Sequence, residues 1–111
     1  MRAAENAGQA ISARRQVAIH TDLLNADAPA NCAPGVVEAL SQSCQKRWQN
    51  FLPMVSRAYH DSLFMARITP TGMLFIPCRN GYSHRPDEYA SAEDIARGTL
   101  VLAETLAMLS A

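Results

Sequence analysis

The chain of 111 residues is one domain, or part of a larger one. Apolar residues make up 49% and charged residues 18%, which excludes a disordered chain, and ten basic residues balance ten acidic ones. With no net field to draw it to nucleic acid or an anionic membrane, and no apolar run near the roughly 20 residues of a bilayer span, both classes of partner are set aside.

Met1 to Gln16 is polar and alanine-rich, without the apolar core of a secretory signal. Glu5 and the lack of a serine-rich stretch argue against a transit peptide. The segment reads as a weakly amphipathic helix, with Ala3, Ala7, Ala10 and Ile11 on one side and Arg14 and Arg15 at the negative pole. Val17 to Leu24 then alternates as a half-buried strand, His20 pointing outward. Asn25 to Ala33, with its Asn and Asp turn formers and Pro29, is the clearest linker. Pro34 suits the first turn of a helix. Val36, Val37, Leu40, Cys44 and Trp48 follow at helical spacing, so Pro34 to Gln49 is predicted as an amphipathic helix with Cys44 and Trp48 in the core.

Phe51 to Val55 is a short apolar run broken by Pro53, predicted as a strand, and Tyr59 to Arg67 as a short helix. His60 and Asp61 fall at its N-terminus. Either they form an anion-facing pair there, or Asp61 caps the turn and His60 is a surface residue. Thr69 to Gly72 is a turn, and Met73 to Cys78 a continuous apolar strand of the kind buried in parallel sheets. Ser91 and Asp94 have the spacing of a capping box at the start of the last helix. Along that helix Ile95, Thr99, Leu102, Leu106 and Leu109 lay a stripe, which Leu100, Val101, Ala103 and Met108 widen enough to need cover on more than one side. The order α, β, linker, α, β, α, β, α argues for α/β layers with partly parallel pairing. Cys32, Cys44 and Cys78, at spacings of 12 and 34, make neither a CxxC knuckle nor a disulfide framework; reduced thiols in the cytoplasm fit best.

The chemistry concentrates in Gly81 to Glu88, where His84 follows the apolar strand in a polar loop. Pro86 stiffens the backbone, and Asp87 and Glu88 are carboxylates able to orient a ring N–H. His84 is either a metal ligand or a solvated histidine in a turn. A closed metal site built from His60, Cys78 and His84 fits no structural zinc spacing.

Three motifs taken together carry a resemblance. Ser56-Arg57-Ala58-Tyr59-His60-Asp61-Ser62, then Gly72 to Cys78, then Gly81-Tyr82-Ser83-His84-Arg85-Pro86-Asp87-Glu88 resemble the C-terminal part of the allantoate amidohydrolase, ureidoglycolate amidohydrolase and N-carbamoyl-amino-acid hydrolase group, within the aminoacylase-like metallopeptidases. The group's usual wording is S-G-A-G-H-D-A and G-x-S-H-x-P-x-E; Arg57 and Tyr59 stand here for the two glycines, a version closest to the ureidoglycolate enzymes.

The resemblance implies the C-terminal portion of an α/β/α catalytic domain over residues 26–111, preceded over residues 1–25 by the last helix and strand of a lid and dimerisation domain. It implies hydrolysis of a linear ureido or amide C–N bond by two divalent ions, zinc or manganese, that polarise the carbonyl and activate a water. By the same resemblance His84 is the last metal ligand, and His60, supported by Asp61, is the active-site histidine. Arg57, Tyr59 and Ser83 stand beside the substrate, Glu88 and Pro86 support the loop, and the full-length members are homodimers acting on small ureide or carbamoyl compounds. By the same resemblance the H-x-D motif, bridging aspartate, paired glutamates and middle histidine of the group's metal centre precede this region. The resemblance therefore implies a fragment, inactive alone and prone to associate through uncovered apolar surface. The alternative is a non-catalytic α/β interaction module on the same scaffold.

Overall fold

The computed structural model describes residues 2–111, and among them forms four α-helices and one 3₁₀ turn: α1 (Arg2–Arg15), α2 (Pro34–Lys46), α3 (Ser62–Met65), the turn Arg79–Gly81 and α4 (Ala92–Leu109). Local chemistry sets most of these ends. Pro34 opens α2 without wasting an N–H. At α4 the Ser91 hydroxyl accepts from the Asp94 N–H at 3.1 Å and donates to the Asp94 carboxylate at 2.6 Å, the capping pair legible in the sequence. α1 stops where Gln16 turns left-handed at φ 52°, the Ser12 hydroxyl donating to the Val17 carbonyl at 2.6 Å. The chain then doubles back, bringing Ile19 over Gly8.

The helices that pack are α2 and α4, through small residues that let their backbones approach. Ala39, Ser43 and Cys44 of α2 and Val101 and Thr105 of α4 are the buried side chains. The two buried hydroxyls are satisfied inside the interface: Ser43 and Thr105 lie 2.9 Å apart, and Thr105 donates to the Val101 carbonyl at 2.8 Å. Glu104 closes one end of the pair by meeting Arg47 at 2.8 Å and Lys46 at 3.7 Å. Burial pushes the Cys44 thiol up, so it stays protonated and inert, as a core cysteine does.

Several sequence expectations change. The runs 17–24, 51–55 and 73–78, expected as strands, belong to no sheet among the described residues. A strand exists through its ladder to a neighbour, and none of the three finds one, so α/β layering is not formed within these residues. Trp48, expected in the core, is 94% exposed: α2 ends at Lys46, and Trp48 sits past that end in a left-handed conformation (φ 54°), thrown off the helical stripe. The helix expected over 59–67 shrinks to Ser62–Met65, leaving His60 and Asp61 before it. Asp61 occupies the cap position without a side-chain capping bond. On α4 the face that packs is Val101 and Thr105, while Ile95, Leu102, Leu106 and Leu109 remain half exposed. The second layer that would cover this stripe is not supplied by α2.

Size says the same. The radius of gyration is 19.4 Å, against about 13 Å for a compact domain of 100 residues. Ala39, Cys44 and Val101 are the buried apolar residues, so most of the apolar half of the composition finds no interior.

Two glycines hold apolar segments against helices. A Cβ on Gly72 would lie 2.6 Å from Val36 Cγ1, and one on Gly98 would lie 2.5 Å from Ile76 Cγ2. Ile76 is β-branched and stiff, so Gly98→Ala is expected to lift the 73–78 segment off α4 at a cost of about 1–3 kcal/mol. Hydrogen exchange checks it: the amides of 76–84 should lose protection while those inside α4 keep theirs.

Candidate functional site

His60 and His84 come from segments 24 residues apart, and the fold brings their rings together, centroids 5.3 Å apart and tilted by 44°. Phe75, from the apolar segment between them, lies 5.6 Å from the His60 ring. The Ser56 hydroxyl lies 2.8 Å from His60 Nε2. His60 is half-buried and His84 exposed, so the pair sits at an open edge of the molecule.

The His84 loop is braced from within. Cys78 donates its thiol proton to the Tyr82 carbonyl at 3.1 Å, and the Arg79 N–H donates to the Tyr89 carbonyl at 2.8 Å. The Arg85 guanidinium lies 3.8 Å over the Tyr82 ring and grips Asp87 with two bonds of 2.8 and 3.0 Å. His84 itself is left-handed at φ 59°, a conformation that costs a non-glycine residue about 1–2 kcal/mol. The Glu88 carboxylate offsets that strain by accepting the His84 backbone N–H at 2.8 Å. The carboxylates were expected on the ring; Asp87 is taken by Arg85, and Glu88 holds the backbone instead. The Ser83 hydroxyl lies 3.5 Å from His84 Nδ1.

Other expected site residues are placed differently. The Asp61 side chain makes no bond to His60; Ser56 holds that ring. The sequence motif gives Ser56 no role, because its bond to His60 spans a non-helical stretch whose shape the letters do not specify. Arg57 is exposed and bonds to neither imidazole among the described residues. Tyr59 turns the opposite way from His60. Its hydroxyl donates to Asp27 and accepts from Asn25 Nδ2 at 2.9 Å, while Arg67 meets the other Asp27 oxygen at 2.6 Å. Phe64 completes the cluster, its ring edge-on to Tyr59 at 6.0 Å and under Arg67 at 5.2 Å. The linker 25–27 is thereby tied to the segment carrying His60.

This tether has a pH signature. The Tyr59 hydroxyl and Arg67 beside Asp27 hold its carboxyl below the ordinary 3.8, and the Asp27 carboxylate pushes the Tyr59 phenol above 10.0. A lowered carboxyl contributes above its unfolded value and is lost as pH falls through the folded one. A raised phenol contributes below its unfolded value and is lost as pH rises through the folded one. The tether is thus expected intact between about pH 4 and pH 10 and to open outside that window. In a Tyr82→Phe, Tyr89→Phe background, phenolate absorbance should titrate above pH 10, and Asp27→Asn should bring it back toward the ordinary value.

Among the described residues no three His, Cys, Asp or Glu side chains converge, and zinc takes three protein ligands or more. The two imidazoles do not by themselves make such a site.

Residues 6–108 match peptidase family M20/M25/M40. The chain belongs to this family. Across 88 residues it is 52% identical to a ureidoglycolate hydrolase of Oryza sativa subsp. japonica, covering 79% of the chain and 18% of that relative. It is 44% identical over 78 residues to an N-carbamoyl-L-amino-acid amidohydrolase of a Pseudomonas species, covering 70% of the chain and 19% of the relative. The crystal structure of AtUAH in complex with (S)-hydroxyglycine superposes with a TM-score of 0.81 at 45% identity, over 96% of the chain and 25% of that structure. The chain spans about a fifth to a quarter of the lengths of the proteins it matches. Divalent-metal dependence is general in the family. No helix among the described residues is long and apolar enough to cross a membrane.

Proposed function

We propose that this M20-family chain is the C-terminal part of a cytoplasmic, homodimeric amidohydrolase that cleaves linear ureido or amide C–N bonds, with ureidoglycolate, allantoate and N-carbamoyl amino acids as the substrate class. Residues 1–25 close a lid and dimerisation domain, to which the extended run 17–24 belongs, and residues 26–111 belong to an α/β/α catalytic domain whose sheet takes up the extended runs 51–55 and 73–78. His84 adds one ligand to a centre of two divalent ions, zinc or manganese, whose other donors lie outside these 111 residues. His60 faces the substrate and Asp61 supports it through the backbone of the following turn. Arg57 and Ser83 complete the substrate wall, and Glu88 and Pro86 keep the loop in shape.

One observation carries this reading: imidazoles from two separate motifs meet at 5.3 Å on a loop whose strained histidine is held by Glu88. Strain of that kind persists where geometry matters for function. The similarity to the rice, bacterial and AtUAH proteins supports the substrate class.

The test is complementation. An M20-family ureidoglycolate hydrolase truncated before the matching region is mixed with the 111-residue chain, and ammonia release is followed from ureidoglycolate, allantoate and an N-carbamoyl amino acid. Neither part alone should release ammonia, the mixture should, and His84→Ala should lower its rate at least about a hundredfold, the scale of loss seen for metal-site partners. A complex that assembles and hydrolyses none of the three would overturn the proposal.

A further inference from the structure

The half-buried Ser56 is the one polar side chain bonded to either ring in the histidine pair by less than 3 Å. Its oxygen accepts the Ala58 N–H at 3.3 Å, a tight local turn that fixes the hydroxyl relative to the backbone. That leaves the hydroxyl proton to be placed. Among the described residues its remaining polar neighbour is His60 Nε2, at 2.8 Å. If Nε2 carried the ring proton, the Ser56 oxygen would accept from both that N–H and the Ala58 N–H, and its own proton would have no protein acceptor among the described hydrogen bonds, leaving only solvent to take it. A neutral imidazole carries one N–H and one bare nitrogen. The arrangement closes when Ser56 donates to a bare Nε2 and the ring proton resides on Nδ1. No described residue bonds to Nδ1, and Phe75 and His84 on either hand keep the ring from turning freely.

We infer that Ser56 is the positioning residue of His60, its hydroxyl holding Nε2 as an acceptor so that the neutral ring presents an Nδ1–H donor at the histidine pair. An N–H in that place recognises oxygen, the carboxylate or carbonyl of a small ureide, and is not available as a lone pair for a metal or for taking a proton. His60 thus serves as a hydrogen-bond donor to substrate, a role different in kind from that of His84. This assignment rests on the proposed substrate-facing place of His60. Its test is independent of turnover.

The 111-residue chain is labelled with ¹⁵N at histidine and measured by solid-state NMR, which tolerates association, at about pH 8.5, two units above the usual histidine value. The three histidines are assigned with His20→Gln and His60→Gln. The His60 signals should show a protonated, pyrrole-like Nδ1 and a bare, pyridine-like Nε2. Ser56→Ala should return the ring to the Nε2–H form that free histidine favours, and Ser56→Thr, which keeps the hydroxyl, should preserve the Nδ1–H form. An Nε2–H tautomer in the unsubstituted chain, or a ratio that Ser56→Ala leaves unchanged, overturns the inference and leaves the complementation result standing. Failure of complementation with the expected tautomer present would overturn the ureidohydrolase reading and leave Ser56 as the residue that sets the ring.

Discussion

Titrated with Zn²⁺ or Mn²⁺, the isolated chain is expected to bind no ion more tightly than about 1 μM, a free energy near −8 kcal/mol. His84 and His60 are the imidazoles that meet, and His60 already has its Nε2 engaged by Ser56. Cys78 donates to the Tyr82 carbonyl, Asp87 is paired with Arg85, and Glu88 holds the His84 backbone, so the nearby candidate donors are occupied. An ion reaching His84 would keep most of its water. Tight binding in metal sites comes from three or four protein donors fixed before the ion arrives. Isothermal titration decides the matter: a sub-micromolar site that His84→Ala abolishes would mean that the chain alone assembles a centre, contrary to the donor set described above.

A second large effect is expected in solution behaviour. Ile95, Leu102, Leu106 and Leu109 stand 51, 46, 56 and 51% exposed along one face of α4. Leu52, Met54 and Val55, with Phe51 half exposed beside them, add a second apolar surface. Each such side chain stabilises association by about 1.5–3 kcal/mol when fully covered. The chain is therefore expected to run as oligomers or aggregates in light-scattering chromatography. Leu102→Glu with Leu106→Glu should shift it toward monomer without unfolding α2 and α4, whose contact runs through the buried Val101 and Thr105, about 100° round the helix from the two leucines. A monomer of the unsubstituted chain with a sharp, reversible thermal transition would show that the apolar faces find cover within the chain.

The elements that were legible are those decided within a few residues. The Ser91–Asp94 cap, Pro34 at the start of α2 and the burial of Cys44 depend on near neighbours and helical spacing, and they stand as read. Trp48 was misread because spacing gives a face only while the helix continues, and the helix stops two residues before it. The runs at 17–24, 51–55 and 73–78 carry strand composition, yet composition cannot supply the ladder partner that makes a strand. The α4 stripe was visible too, but periodicity does not say which side of a wide stripe meets a neighbour; small side chains on α2 chose Val101 and Thr105. Ser56 went without a role because its bond to His60 spans a non-helical stretch whose shape the letters do not specify.

By itself the sequence determined the family, through three motifs in order, and the short-range punctuation of its helices, since both reside in adjacent residues. Tertiary structure decided that His60 and His84 share one edge, that Tyr59 is tied to Asp27 and Arg67 in place of standing beside His60, and that Glu88 grips a backbone N–H. Those are contacts between segments far apart along the chain. Their geometry follows from how the intervening backbone is packed, a property that no local pattern of residues encodes.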